Sequence, residues 1–310
     1  MVSPTGPNNG SGNGNGHDGG SGSGSGSGHE APQQKQVVRV AAVGDLHCTD
    51  KARGLFQPLL QKITESADVL VLCGDLTDYG LPAEAKVLAA ELSAAKLPTL
   101  AVLGNHDFES GQVDEVKHIL SDQAGVMFLD GDAREVKGIG FAGGKGFGGG
   151  FGRGTLGAWG ERAVKLFVQE AIDEQMKLES ALARLRTTKR VAVLHYAPIK
   201  ATVENEPVEI FPWLGCSRLE EPINRYPVTA VVHGHAHNGT PEGKTSGGVP
   251  VYNVALPLMR KSFPNNPPFR VLRIEVEPAK ADAPPASPAT NPGTAHDASM
   301  RQVPVHTDVG

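Results

Sequence analysis

The sequence of 310 residues is short of positive charge and of cysteine, and each shortage excludes a class of protein. Lysine and arginine total 29 against 34 aspartates and glutamates, a formal net charge of −5. Proteins that coat DNA or RNA are usually basic. The three cysteines include no C-x-x-C pair and leave an odd number, which is not a disulfide framework. We therefore predict neither a nucleic-acid scaffold nor a disulfide-stabilised secreted domain.

The sequence also lacks long apolar runs and a leader. No run approaches the roughly 20 apolar residues that a membrane span requires. The first ten residues, MVSPTGPNNG, carry neither the basic nor the apolar region of a secretory signal. Val2 excludes the N-myristoyl pattern. These features predict a cytoplasmic protein without a membrane partner, and they leave the oligomeric state open.

Biased composition marks both ends of the chain. Residues 1–35 are rich in glycine and serine, and residues 278–310 are rich in proline and alanine. Such segments have too few apolar side chains to bury in a core. We expect two disordered tails on either side of a folded region at 36–277, which is long enough to bury a full core.

Apolar runs and helical periodicity alternate within residues 36–277. Strands are predicted at 37–43, 69–73, 100–103, 126–129, 134–137, 139–142, 191–194, 229–232, 249–254 and 269–276. Helices are predicted at 52–65, 82–96, 113–121 and 161–186. Apolar strands separated by helices indicate an α/β fold with buried sheets. The strand-rich second half favours central mixed sheets flanked by helices.

Five of the predicted strands end in residue types that bind metal ions. The segments are Gly44-Asp45-Leu46-His47, Gly74-Asp75-Leu76-Thr77-Asp78, Gly104-Asn105-His106-Asp107, His195-Tyr196-Ala197-Pro198 and His233-Gly234-His235-Ala236-His237. Ligands of open α/β sheets bind outside the carboxyl ends of the strands, so we expect these side chains to meet in one crevice. A glycine before a ligand would let the chain turn sharply off its strand.

The ordered set D-x-H, G-D-x-x-D, G-N-H-D, H and G-H-x-H resembles the calcineurin-like metallophosphoesterase superfamily. The resemblance runs from Asp45 to His237, most of the predicted folded region. It implies a four-layer α/β/β/α sandwich. Within this superfamily, the sequence is most similar to small bacterial-type phosphoesterases, including cyclic-nucleotide phosphodiesterases.

The resemblance implies two divalent metal ions. One would be held by Asp45, His47, Asp75 and His237, and the other by Asp75, Asn105, His195 and His235. Asp75 would then bridge the two ions. Nitrogen and oxygen ligands without a thiolate suit Mn, Fe or Zn and do not choose among them.

The resemblance also gives His106 a catalytic role at the leaving oxygen or the phosphoryl group, with Asp78 orienting its imidazole. The alternative for Asp78 is an N-cap of the following helix. For Asp107 we favour hydrogen bonds to the loop backbone, and for His233 a place in the core or behind the metal ligands.

The implied activity is hydrolysis of small phosphate esters by a metal-activated hydroxide, with phosphodiesters favoured and a nucleotide among the candidate substrates. A phosphomonoesterase is the alternative. A protein phosphatase of the same superfamily is disfavoured because Tyr79 and Asp107 stand where that branch has arginine and glutamate. In another class, the chain would be an inactive binding or scaffold protein that keeps the fold.

Two further segments are candidates for substrate specificity. The glycine-rich segment 143–154 is predicted as a flexible loop or lid that carries Lys145 and Arg153 toward the substrate, with a plain surface loop as the alternative. Segment 199–218 is aromatic and acidic, and it would cover the metals and bind a base or other organic group; the alternative is an ordinary surface connection.

Overall fold

The computed structural model describes residues 36–277. Both predicted tails lie outside the described residues. The strands are β1 (Gln36–Val43), β2 (Val69–Cys73), β3 (Thr99–Val102), β4 (Met127–Phe128), β5 (Asp132–Val136), β6 (Ile139–Gly143), β7 (Lys189–Val193), β8 (Ala230–His233), β9 (Glu242–Lys244), β10 (Pro250–Asn253) and β11 (Arg270–Val276). The helices are α1 (Gln57–Ser66), α2 (Pro82–Leu92), α3 (Val113–Ala124), α4 (Arg162–Arg184), α5 (Phe211–Leu214), α6 (Glu220–Arg225) and α7 (Leu256–Ser262). No helix among these residues is long and apolar enough to cross a membrane.

The strands form two mixed sheets. The first has the order β11-β1-β2-β3-β4 and is parallel except for β11, which runs antiparallel to β1. The second has the order β5-β6-β7-β8-β10-β9, with β6, β7, β8 and β10 parallel and antiparallel strands at both edges. Each sheet thus combines parallel and antiparallel strands, which confirms the predicted mixed sheets.

Successive apolar side chains of a strand pack alternately against the helices on one face of the sheet and against the other sheet on the opposite face. In β1, Ala41 and Val43 pack with α1, α2 and α3, whereas Val38, Val40 and Ala42 face the second sheet. The far side of the second sheet packs against α4 and α6. Successive side chains of a strand point to opposite faces, so each sheet is buried on both sides. The result is the expected four-layer α/β/β/α arrangement.

Two predicted helices are shorter than their sequence pattern suggested. Helix α1 begins at Gln57 instead of residue 52, because Pro58 fits a first turn and Glu91 binds the N–H groups of Gly54 and Phe56 outside the helix. Helix α2 ends at Leu92, and Lys96 has a left-handed φ of 50°, which a helix does not allow.

The carboxyl ends of the central strands meet between the sheets. The N–H of Gly44, after β1, donates to Val254 O after β10. The imidazole of His195, after β7, lies 2.9 Å from the carbonyl oxygen of Cys73 at the end of β2. Loops from both sheets therefore line one crevice.

Candidate metal centre

The predicted metal ligands lie together in this crevice as two groups. Asp45, His47 and His237 form one, and Asp75, His195 and His235 form the other; within each, one ligand atom per residue lies within 4.8 Å of the others. These groups correspond to the two predicted ion sites.

Asp75, a member of the second group, also faces the first group. Its Oδ2 is 3.7 Å from His47 Nε2, and its Oδ1 is 3.4 Å from His195 Nε2. Asn105 joins the second group, with its Oδ1 3.0 Å from His195 Nε2. A carboxylate placed in this way offers one oxygen to each side, which is the arrangement a bridging ligand needs.

Four of the ligand candidates adopt a left-handed backbone conformation. The φ angles are 57° at Asp45, 45° at His47, 46° at Asp75 and 70° at His235. Non-glycine residues rarely adopt this conformation, and such strain concentrates at functional sites. The ligand residues themselves therefore turn the chain, a task that the sequence assigned to the preceding glycines.

The glycines chiefly provide space. A Cβ at Gly104 would overlap the Asp75 carboxylate, and one at Gly234 would overlap the Asp45 carboxylate. Of the glycines that precede a ligand, Gly74 alone among those described also has a left-handed φ, at 83°. Glycine is therefore required at these positions more for the close approach of neighbouring loops than for a left-handed backbone conformation.

Hydrogen bonds fix the imidazole orientations. His195 Nδ1 is 2.9 Å from Cys73 O, His47 Nδ1 is 3.1 Å from Asp78 Oδ1, and His235 Nε2 is 3.1 Å from Trp213 O. Each ring thus donates one N–H to an oxygen and keeps the other nitrogen as an electron-pair donor, as metal-binding histidines do. His47 Nε2 is buried and has no hydrogen-bond partner. A cation bound at this nitrogen would satisfy it.

The electrostatics of the site also favour cations. Asp45 and Asp75 are 2% and 1% exposed. Burial, followed by the nearby Asp45 charge, raises the pKa of Asp75 to about 6. Burial lowers the pKa of His195, and it lowers that of His235 to about 4, so both imidazoles are neutral at pH 7. Two buried carboxylates beside neutral imidazoles fit divalent metal ions.

The contact that fixes His106 differs from the prediction. His106 Nδ1 lies 2.7 Å from the main-chain carbonyl oxygen of Asp78, whereas the Asp78 carboxylate contacts His47. The carbonyl oxygen accepts the Nδ1 proton and leaves His106 Nε2 as the free ring nitrogen. Asp78 therefore contacts both histidines, but the carboxylate–imidazole pair expected at His106 is not formed.

Two residues lie where the sequence placed them outside the metal shell. The Asp107 carboxylate accepts the N–H groups of Leu76, Thr77 and Gly104 and so holds the loops after β2 and β3 together. His233 is fully buried, and its Nε2 lies 2.8 Å from Thr202 Oγ1. Both interpretations are confirmed.

The first part of the glycine-rich segment differs from the predicted loop, whereas residues 152–154, including Arg153, are exposed. Gly146 and residues 148–150 are buried. The N–H of Gly149 donates to Pro212 O at 2.6 Å, and a Cβ at Gly149 would lie 2.8 Å from Cys216 Sγ. Glycine therefore serves close packing here. Lys145 is mostly buried, and its ammonium donates to Gly146 O.

Two contacts of the crevice are not visible in the sequence. The Trp213 carbonyl brings segment 199–218 onto His235. Asn253, at the end of β10, donates to Ala236 O at 2.8 Å and accepts the N–H of Ala255, which holds the turn that carries His235 and His237. In the sequence, only its position as a polar residue at the end of a sixth predicted strand pointed to a role for Asn253.

The sequence and the fold are similar to those of known proteins. The sequence profile described as calcineurin-like phosphoesterase matches residues 38–239. The phosphopantetheinyl hydrolase PptH from Mycobacterium tuberculosis has a similar fold, with a TM-score of 0.53 and 15% identity over 79% of this chain and 98% of that one. The NAD nucleotidase of Haemophilus influenzae matches with a TM-score of 0.38 and 13% identity over 71% of this chain and 45% of that one. A search of curated protein sequences found no match.

Proposed function

Because the chain belongs to the calcineurin-like phosphoesterase family, we propose that it is a dinuclear metal-dependent phosphoesterase that prefers phosphodiesters. The observation that carries this proposal is the position of Asp75 between two imidazole groups, beside a buried His47 nitrogen without a hydrogen-bond partner. The proposed ligands are those of the two groups together with Asn105. Mn, Fe and Zn all suit this donor set.

The metal ions, when bound, would lower the pKa of a water molecule and neutralise charge on the phosphoryl group. The protein's own residues position the reactants. Asp78 O accepts the Nδ1 proton of His106 and leaves Nε2 as the ring nitrogen that can take up a proton; its proposed role is to deliver that proton to the departing ester oxygen. The contacts of Asp78 with His47 and of Trp213 with His235 hold two ligand rings in place.

A neutral side chain in place of an arginine supports the diester preference. Tyr79 follows Asp78 where the related protein phosphatases have arginine, and its side chain is exposed. A phosphomonoester dianion gains more than a diester monoanion from an additional guanidinium, which binds phosphate oxygens in pairs. A site without that cation is therefore better matched to the single charge of a diester.

The proposed substrate is a small phosphate ester in the cytoplasm. The three cysteines are buried and free, which fits a reducing compartment. Burial raises the pKa of Cys48 to about 12, so its thiol stays protonated and is a poor metal ligand.

Hydrolysis of paired aryl esters tests the proposal. We expect protein reloaded with Mn, Fe or Zn to hydrolyse bis-p-nitrophenyl phosphate with a higher kcat/KM than p-nitrophenyl phosphate, and chelation to abolish both activities. Asp75→Asn should be inactive, whereas the matched change Asp50→Asn at an exposed aspartate should be neutral. Two bound metals without turnover of any ester would instead favour the scaffold alternative.

A further inference from the structure

A chain of aromatic rings leads from the candidate metal centre to the protein surface. The centroids of the His235 and Tyr196 rings are 4.4 Å apart, and those of Tyr196 and Phe147 are 5.8 Å apart. The Phe167 ring follows, with its centroid 4.9 Å from that of Phe147 and 5.2 Å from that of Trp213. The carbonyl oxygen of Trp213 in turn accepts a hydrogen bond from the His235 ring. We refer to Tyr196, Phe147, Phe167 and Trp213 as the aromatic wall.

The outer end of the aromatic wall is exposed. Trp213 is 61% accessible although tryptophan is largely buried on average. Val208 and Ile210 of the same segment are exposed as well. Exposed apolar groups beside a polar site mark ligand contacts more often than scattered surface residues do.

The Trp213 backbone is held on both sides, so the indole is presented by a fixed element. Pro212 O accepts the N–H of Gly149, and Leu214 O accepts the N–H of Ala197. The Phe167 ring packs edge-on against the indole at an interplanar angle of 81°. A positioned, exposed aromatic face is suited to stack on a flat partner.

We propose that Trp213 determines substrate specificity by stacking on an unsaturated ring in the organic group of the phosphate ester, either a nucleobase or an aryl group. This inference rests on the proposed function, because Trp213 O lies 3.1 Å from Nε2 of the proposed ligand His235, so an ester bound at the metal centre would have Trp213 as a neighbour. One indole and two exposed aliphatic side chains of the same segment offer far less than the roughly 800 Å² per partner of a stable protein interface. The patch therefore fits a ligand ring better than another protein.

The two tryptophans of the chain, Trp159 and Trp213, allow a direct binding test. The Trp159→Phe variant leaves Trp213 as the sole tryptophan, and Trp213→Phe leaves Trp159. The probes are phenylphosphonate, methylphosphonate and the phosphonate analogue of thymidine 5′-monophosphate, added to the zinc-loaded full chain; their C–P bond prevents turnover. We expect the phenyl and thymidine probes to quench Trp213 fluorescence and methylphosphonate to leave it unchanged.

Affinities measured by calorimetry give the second readout. Trp213→Ala should weaken the two ring-bearing probes by about 5- to 150-fold, the range that base stacking on an aromatic side chain supplies. Methylphosphonate should change less than twofold, and Trp213→Phe should retain most of the affinity. Leu166→Ala, an exposed apolar residue outside the wall, is the matched control. A larger loss for the thymidine probe than for the phenyl probe would identify a nucleobase, and the reverse an aryl group.

The outcomes separate the inference from the activity. Equal weakening of all three probes, or no change in Trp213→Ala, would overturn the stacking role even if wild-type protein hydrolyses esters. If wild-type protein hydrolyses no ester but the probes still follow the expected order, the proposed activity fails and the aromatic site stands.

Discussion

Asp75 is the single residue on which both proposed ion sites depend. Its two carboxylate oxygens face the rings of His47 and His195, whereas the Asp45 carboxylate faces only the ring of His237 and otherwise accepts the main-chain N–H of His235. We predict that Asp75→Ala loses both metals and that Asp45→Ala mainly weakens one site. Elemental analysis of the purified variants measures this directly, and two tightly held metals in Asp75→Ala would refute the bridging role.

His106 should affect the rate without affecting metal content. General acid catalysis typically contributes about 10²–10⁴-fold, and less when the leaving group is already a stable anion. We predict that His106→Ala slows hydrolysis of an alkyl or ribose ester more than that of a nitrophenyl ester. Turnover across esters of graded leaving-group pKa tests this; an equal loss on every ester would indicate charge stabilisation without proton donation.

Asp78 provides the contrast to His106. Its carbonyl contact with His106 survives Asp78→Asn, whereas its carboxylate contact with His47 changes. The variant should therefore alter metal affinity more than leaving-group dependence. The spacing of G-D-x-x-D correctly indicated that Asp78 lies near His106. It could not indicate that a main-chain oxygen makes the contact, because every residue carries one.

His233 links stability to acid pH. Burial lowers its pKa from 6.5 to about 4, so the folded protein binds a proton less readily than the unfolded chain. This contribution is complete above pH 6.5 and is lost as the pH falls through 4, a change of about 3 kcal/mol. We predict that, in metal-free protein, the unfolding free energy of His233→Gln decreases less than that of wild type as the pH is lowered from 6.5 to 4. Denaturant titrations from pH 4 to 7 compare the two proteins, and parallel curves would contradict the prediction.

At the scale of elements, the turns after the strands depend on the absence of a side chain. A Cβ at Gly104 would overlap Asp75, whereas one at Gly154 would meet no atom within 4 Å. We predict that Gly104→Ala costs about 1–3 kcal/mol of stability, as overpacking does, and lowers metal content. Gly154→Ala should stay within about 0.5 kcal/mol of wild type. Thermal unfolding with metal analysis would refute this if both variants behaved alike.

The sequence predicted elements best where they are buried and apolar. Strand β2 has the predicted bounds of 69–73, because every one of its residues is buried between layers. Helix α7 and strand β9 were missed: α7 has only seven residues with Pro257 in its first turn, and β9 reads Glu-Gly-Lys without an apolar run. The glycine-rich segment looked open because its packing partner, near Pro212, lies some 60 residues away in the chain.

At the scale of the whole molecule, each proposed ion would join the two sheets. Asp45, His47, Asp75 and Asn105 follow strands of the first sheet, whereas His195, His235 and His237 follow strands of the second. Ligands that bind only the folded state stabilise it, by about 2.7 kcal/mol per site at 100 times the dissociation constant. We predict that chelation lowers Tm by roughly 10 °C and that added zinc restores it. Calorimetry would contradict this if Tm did not respond to metal.

The pairing of β1 with β11 has a consequence for the order of the chain. Gln36 and Val276 are register partners, so the two ends of the described region lie on neighbouring strands, about 5 Å apart in the sheet. A short glycine-containing bridge between them would make the backbone a closed ring. The ring could then be opened at the exposed turn of residues 246–248, between β9 and β10. Every strand would keep its neighbours in the sheets, and only the covalent connection between β9 and β10 would be lost. Circular permutation at this point would give a protein whose ends lie at a different edge, available for attachment to a support or a fused reporter.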